Sequence, residues 1–186
     1  MNEVIQNILN RRSVRVYTDE QIKQEDLDLV LQAGIYAPSG CNMQPWHFTV
    51  VQDPELISEL SVESKKEFAD SENEMFRNMA NNPEYKIFYN AQTIIVVSGE
   101  DSAVTAQLDC AAATENMMLS AESLGIGSCW IGLIFYLFEG ERAKEYSEKL
   151  QIPEGFKPYY ALTLGYKKYE NAKAPKRRED TITYIR

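Results

Sequence analysis

Val4, Ile5, Ile8 and Leu9 recur at helical spacing, so the pattern predicts an amphipathic helix over Asn2–Asn10 that runs into the basic segment RRSVR. Leu27, Val30, Leu31 and Gly34 repeat that spacing and predict a second helix, which must end before Pro38 because the residue preceding a proline disfavours helical geometry. APSGCNMQP is then a loop. Phe48, Val50 and Val51 form a short β-branched and aromatic run that reads as a strand, and Asp53-Pro54 is a fitting cap and first position for a helix beginning LISEL. Residues 61–85 are highly charged with scattered Phe68, Met75, Phe76 and Met79, which predicts exposed helices with a weak apolar face and the option of a mobile lid.

Further along, Thr93–Val97 has the β-branched composition of a buried strand, and Gln107–Leu124 is an Ala- and Met-rich helix closed by Gly125. A strand near Ser128–Ile134, a helix near Glu139–Leu150 and a strand near Tyr159–Gly165 follow, before a basic tail. Helices outnumber strands and do not alternate with them regularly, so the expected class is α+β, in one domain spanning residues 1–186. No internal repeat interrupts it.

Composition narrows the chemistry. Nineteen Lys and Arg against 28 Asp and Glu give a formal net charge of −9, the wrong sign for gripping a nucleic-acid backbone over a broad face. The longest apolar runs, such as TIIVV, are far too short to span a bilayer, and the first residues lack the apolar centre of a secretory signal. The expectation is a soluble, cytoplasmic protein with neither nucleic-acid nor membrane partners. Cys41, Cys110 and Cys129 show no C-x-x-C spacing and are expected to be reduced, buried thiols. With His47 as the one histidine, a His-rich metal centre has no ligands, and any redox or transfer chemistry falls to a cofactor.

Three segments have the composition of a site. Arg11, Arg12, Ser13 and Arg15 place charge-assisted donors and a hydroxyl within five residues, which suits a phosphate or another anion; the alternative is a solvated patch that complements a helix C-terminus. Lys176, Arg177 and Arg178 repeat that choice at the other end of the chain, and the two clusters could converge on one small anion. The loop holding Pro38, Ser39, Gly40, Asn42 and Gln44 combines a rigid backbone with side chains that donate and accept, matching the edge of a heteroaromatic ring unless those amides serve the loop itself. GIGSCWIG resembles a dinucleotide fingerprint only weakly, because Trp130 occupies the third glycine position and a helix precedes it. Trp46 and His47 read as core packing, and a hydrolase built on Cys41 and His47 lacks any third, orienting group.

Taken together, RRSVRVY, APSGCNMQPWHFTVV, LGIGSCWIG and LGYKK followed by APKRR, in this order and spacing, resemble the nitroreductase family of FMN-dependent oxidoreductases across essentially the whole chain. The resemblance implies a mixed central sheet flanked by helices in an intertwined homodimer, with FMN at the subunit interface. By position it implies that Arg11, Arg12, Ser13 and Arg15 bind FMN from one protomer, joined by Lys176 and Arg178 at the phosphate. Pro38, Ser39 and Gly40 would approach from the other, with Asn42 and Gln44 lining the same loop. Trp130, Ile131, Gly132 and Leu133 would run beside the flavin ring.

The implied activity is ping-pong hydride transfer from NADH or NADPH, through FMN, to nitroaromatics, quinones or related electrophiles. Reduction of the flavin adds electron density at N1 and C2=O, so a nearby permanent cation favours the reduced form, and Arg15 is the candidate for that tuning. A non-catalytic flavin-binding dimer, sequestering or sensing, is the rival reading, with residues 61–85 blocking the nicotinamide.

Overall fold

The computed structural model describes residues 1–186. Four strands form one sheet in the order β1-β2-β4-β3: β1 (Trp46–Val51), β2 (Thr93–Glu100), β3 (Ile126–Ile131) and β4 (Phe156–Tyr166). Each pairing is antiparallel, and the parallel component of the expected mixed sheet is confined to an isolated bridge between Ser13 and Ser128. That bridge lays the basic segment against β3.

Helices cover both faces. Because side chains alternate along a strand, Ile94 and Val96 point to one face of β2 and Ile95 and Val97 to the other, and both faces are dry. On the first face, α3 (Pro54–Glu67), α6 (Phe135–Glu139) and α7 (Ala143–Lys149) contribute Leu60, Leu137 and Tyr146. On the second, α2 (Gln24–Ile35) and α5 (Ala106–Ser123) contribute Val30, Cys110 and Met117. Small residues on α5 and Gly34 on α2 bring these helices close: a Cβ on Gly34 would lie 2.9 Å from Met117.

Local chemistry explains most element boundaries. Asp53 caps α3 by accepting the N–H groups of Glu55 and Leu56, with Pro54 at the first helical position. The helix expected near 139–150 is the shorter α7, and α6 before it has no counterpart in the sequence pattern; the two are separated at Gly140, whose missing side chain leaves room for the Glu67 carboxylate. The strand expected over 128–134 starts and ends earlier, because Gly132 turns the chain into α6. Residues 61–85 differ most from expectation: Ser61, Ser64 and Phe68 are buried, whereas α4 (Glu74–Asn81) buries none of its residues. Cys110 and Cys129 are buried thiols as expected, but Cys41 is exposed, since its loop lies outside the core.

α1 (Glu3–Asn10) is amphipathic and buries none of its residues. Val4, Ile5, Ile8 and Leu9 stay exposed, as do Leu29 and Ile35 on α2 and Tyr36 at its C-terminal end.

Candidate active site

The basic segment lies between the end of α1 and the edge of β3. Val14 N–H donates to Ser128 O, and Tyr17 donates to Val14 O at 2.6 Å while sharing a hydrogen bond with Thr163. These contacts fix the backbone of the segment. Arg12 is committed to the chain: it donates to Leu9 O, Arg11 O and Ala172 O. Arg11 stands differently, with one loose ion pair to Glu115 at 3.8 Å and an Nη1 shielded from solvent without any partner. A shielded guanidinium N–H without an acceptor is costly, and an anion is the natural acceptor.

Arg15 stands over the Tyr89 ring at 5.7 Å. Burial opposes its charge, but the acidic groups around it, Cys129 and Tyr89 first, outweigh that, so its pKa is raised and it remains cationic. Cys129 nearby has its thiol pKa pushed up by burial, with Arg15 pulling the other way. The site therefore presents a permanent cation near a neutral thiol. Tyr89 and Asn90 adopt φ values of 53° and 56°, unusual for residues with a Cβ, which turn the chain at this contact.

The tail is brought only part of the way. Asn171 donates to Asn10 O and Arg12 donates to Ala172 O, so the two ends of the chain meet beside Arg11. Lys176 and Arg178 lie beyond that junction in an exposed segment, and Lys176 pairs with Glu179 at 2.6 Å. Within this chain they do not join Arg11–Arg15.

On the other side of β3, Trp130 packs tilted against Tyr160 with ring centres 4.2 Å apart, Ile131 is buried in the first core, and Gly132 opens onto a cavity of about 490 Å³. A Cβ on Gly132 would meet nothing within 4 Å, so the open space reaches the backbone itself. Leu133, Phe76, Tyr136, Tyr159 and Tyr160 line this cavity, an apolar and aromatic surface suited to a planar ring. Both Tyr159 and Tyr160 reach it because the β2–β4 register shifts between Val97 and Ser98, so neighbours in sequence escape strict alternation. Sequence patterning had no signal for that bulge, and it missed these tyrosines.

The Pro38–Gln44 loop docks elsewhere on α5. Gly40 N–H donates to Asp109 at 3.1 Å, whereas Arg11 meets Glu115 six residues later, about 9 Å along the helix and about 240° around it. In one chain the two clusters therefore sit on different faces of α5. Gln44 donates to Asn42 Oδ1 at 3.1 Å, which leaves the Asn42 amide donor and the Gln44 carbonyl exposed side by side. His47 packs edge-on against Phe156 and shares no hydrogen bond with Cys41, so the hydrolase alternative gains no support.

The profile described as the Nitroreductase family matches residues 8–166. A protein of Archaeoglobus fulgidus, named as an NADH dehydrogenase/NAD(P)H nitroreductase, is 41% identical over 170 residues, covering 91% of this chain and 88% of its own. An FMN reductase [NAD(P)H] of Bacillus subtilis is 30% identical over 99% of this chain and 74% of its own. A nitroreductase crystal structure with bound FMN from Bacteroides fragilis superposes with a TM-score of 0.92 at 39% identity, each chain covered fully. Matched by the family over residues 8–166 and superposed over its whole length, this chain belongs to the nitroreductase family.

Proposed function

We propose that the protein is an FMN-dependent oxidoreductase that takes electrons from NADH or NADPH and delivers them to nitroaromatics, quinones or related electrophiles. The observation that carries this reading is the shielded, partnerless Nη1 of Arg11, beside Ser13 and Arg15 and across β3 from the open aromatic cavity. Bound FMN supplies reversible two-electron chemistry between a nicotinamide donor and an oxidised acceptor. The chain's own residues do the rest. Arg11 and Ser13 hold the anionic end, Arg12 adds its positive charge while its donors tie the segment to the backbone, and Lys176 and Arg178 join once the tail folds over it. Arg15 places a permanent positive charge at the pyrimidine edge, favouring the electron-rich reduced form. Trp130–Leu133 supply the wall for the ring, and the uncharged cavity lining favours neutral planar acceptors over anions.

A homodimer completes this arrangement. Residues 38–44 and 11–15 occupy different faces of α5, so a single FMN touching both draws the loop from a second copy. The exposed apolar faces of α1 and α2 supply the surface such an interface needs. Ile8→Glu, which places a charge in the middle of that face, is expected to convert the dimer to a monomer that no longer retains FMN; sedimentation velocity with detection in the flavin band reads both.

Steady-state turnover tests the function. With FMN bound, NAD(P)H and a quinone, the account expects rapid nicotinamide oxidation and parallel double-reciprocal lines, the mark of an alternating mechanism. Stoichiometric FMN binding without nicotinamide oxidation would assign the protein to flavin sequestration or sensing instead.

A further inference from the structure

Asp109 lies in the first turn of α5 and is 7% exposed. Its two oxygens meet only neutral donors: Oδ1 accepts the Gly40 N–H at 3.1 Å, and Oδ2 accepts the Thr105 hydroxyl at 2.8 Å. The helix N-terminus makes this a favourable place for a carboxylate. What the carboxylate holds is an unfavourable backbone. Cys41, Asn42 and Gln44 have φ values of 50°, 56° and 48°, a region that residues with a Cβ avoid.

The remaining hydrogen bonds of residues 38–44 are internal. Asn42 N–H donates to Ser39 O, Met43 N–H to Gly40 O, Gln44 N–H to Ser39 Oγ and Gln44 Nε2 to Asn42 Oδ1. The Gly40–Asp109 bond is the single one that ties the loop to a distant element. Its fit is close, since a side chain at Gly40 would run into the Thr105 hydroxyl.

We infer that Asp109 is a positioning residue for cofactor binding: by anchoring Gly40 it holds the strained Pro38–Gln44 loop in the shape that presents Ser39, Asn42 and Gln44 to FMN. This rests on the FMN reading above. Asp109 acts through the loop and needs no contact with the cofactor itself.

The test uses full-length protein, FMN titration by fluorescence quenching, and the visible circular dichroism of the bound flavin at saturation. Asp109→Ala is expected to weaken FMN binding at least about tenfold and to change the flavin dichroism, because the loop loses its anchor. Asp109→Asn, whose amide oxygen still accepts the Gly40 N–H, is expected to restore both to near wild type. Unchanged affinity and dichroism in Asp109→Ala overturns the inference, and so does an Asp109→Asn protein as impaired as the alanine variant, which would assign the effect to charge. Thr105→Val loosens the same carboxylate with little change in shape and is the variant to read if Asp109→Ala does not fold; there a partial loss is expected, and wild-type behaviour overturns the inference. Wild-type protein that binds no FMN contradicts the functional reading itself, which separates the two failures.

Discussion

Replacing Arg11 with alanine is expected to raise the FMN dissociation constant by about a hundredfold, the upper range for removing a charge-assisted hydrogen bond to a largely desolvated group. The reason is the state of this guanidinium without ligand. Nη1 is shielded and has no acceptor, and the one ion pair, to Glu115, is long at 3.8 Å. A bound phosphate therefore displaces little water and breaks no strong bond. Arg11→Lys should recover only part of the loss, because an ammonium cannot reproduce the planar fork of donors. Lys176→Ala should weaken binding less than Arg11→Ala, since Lys176 must leave Glu179 and order an exposed side chain before it can contribute. Titration of each apoprotein with FMN, followed by flavin fluorescence, ranks the three variants. Wild-type affinity in Arg11→Ala would remove the basic segment from the site.

The second large effect concerns stability and lies where the composition looked least structural. Phe68→Ala should destabilise the fold by about 3–5 kcal/mol, the range for truncating a buried phenylalanine. Phe68 is 1% exposed, and its ring lies 5.4 Å from Tyr136 and 6.4 Å from Phe76. Losing it leaves a cavity beneath α4 and unseats Phe76, which lines the aromatic cavity. Met75→Ala, in the same charged stretch but 54% exposed, should change stability by less than about 0.5 kcal/mol. Urea denaturation of the apoproteins separates the two. Equal midpoints would mean that residues 61–85 are the loosely attached lid their charge suggests.

Much of the architecture was legible because it rests on periodicity. The runs at Thr93–Val97 and Tyr159–Gly165 alternate between two buried faces, and β2 extends beyond its run at one end and β4 at both ends through pairing that no local signal marks. The α5 helix was legible from its small residues and from Gly125, whose φ of 76° suits a helix end. The Gly140 break was not, because what matters there is the approach of Glu67 from another helix. Phe68 was misplaced for a similar reason: charged neighbours dominate its window, yet its own side chain meets α6 in space.

The candidate site divides the same way. Arg11, Ser13, Arg15 and Gly132 were found as motifs, and the Ser13–Ser128 bridge explains why they gather at β3. Tyr159 and Tyr160 reach the cavity through a register shift, and Asp109 meets Gly40 from 69 positions away. Neither relation has a signature in the order of residues.

The central claim, that the basic segment and the Gly132 turn enclose a reducible flavin, is tested most directly by the visible spectrum of the FMN-loaded protein before and after anaerobic addition of NADH or NADPH. The account predicts a flavin band that bleaches within seconds with at least one of the two donors and returns when a quinone is added. A band that persists with both, or a protein that binds no FMN, would contradict it.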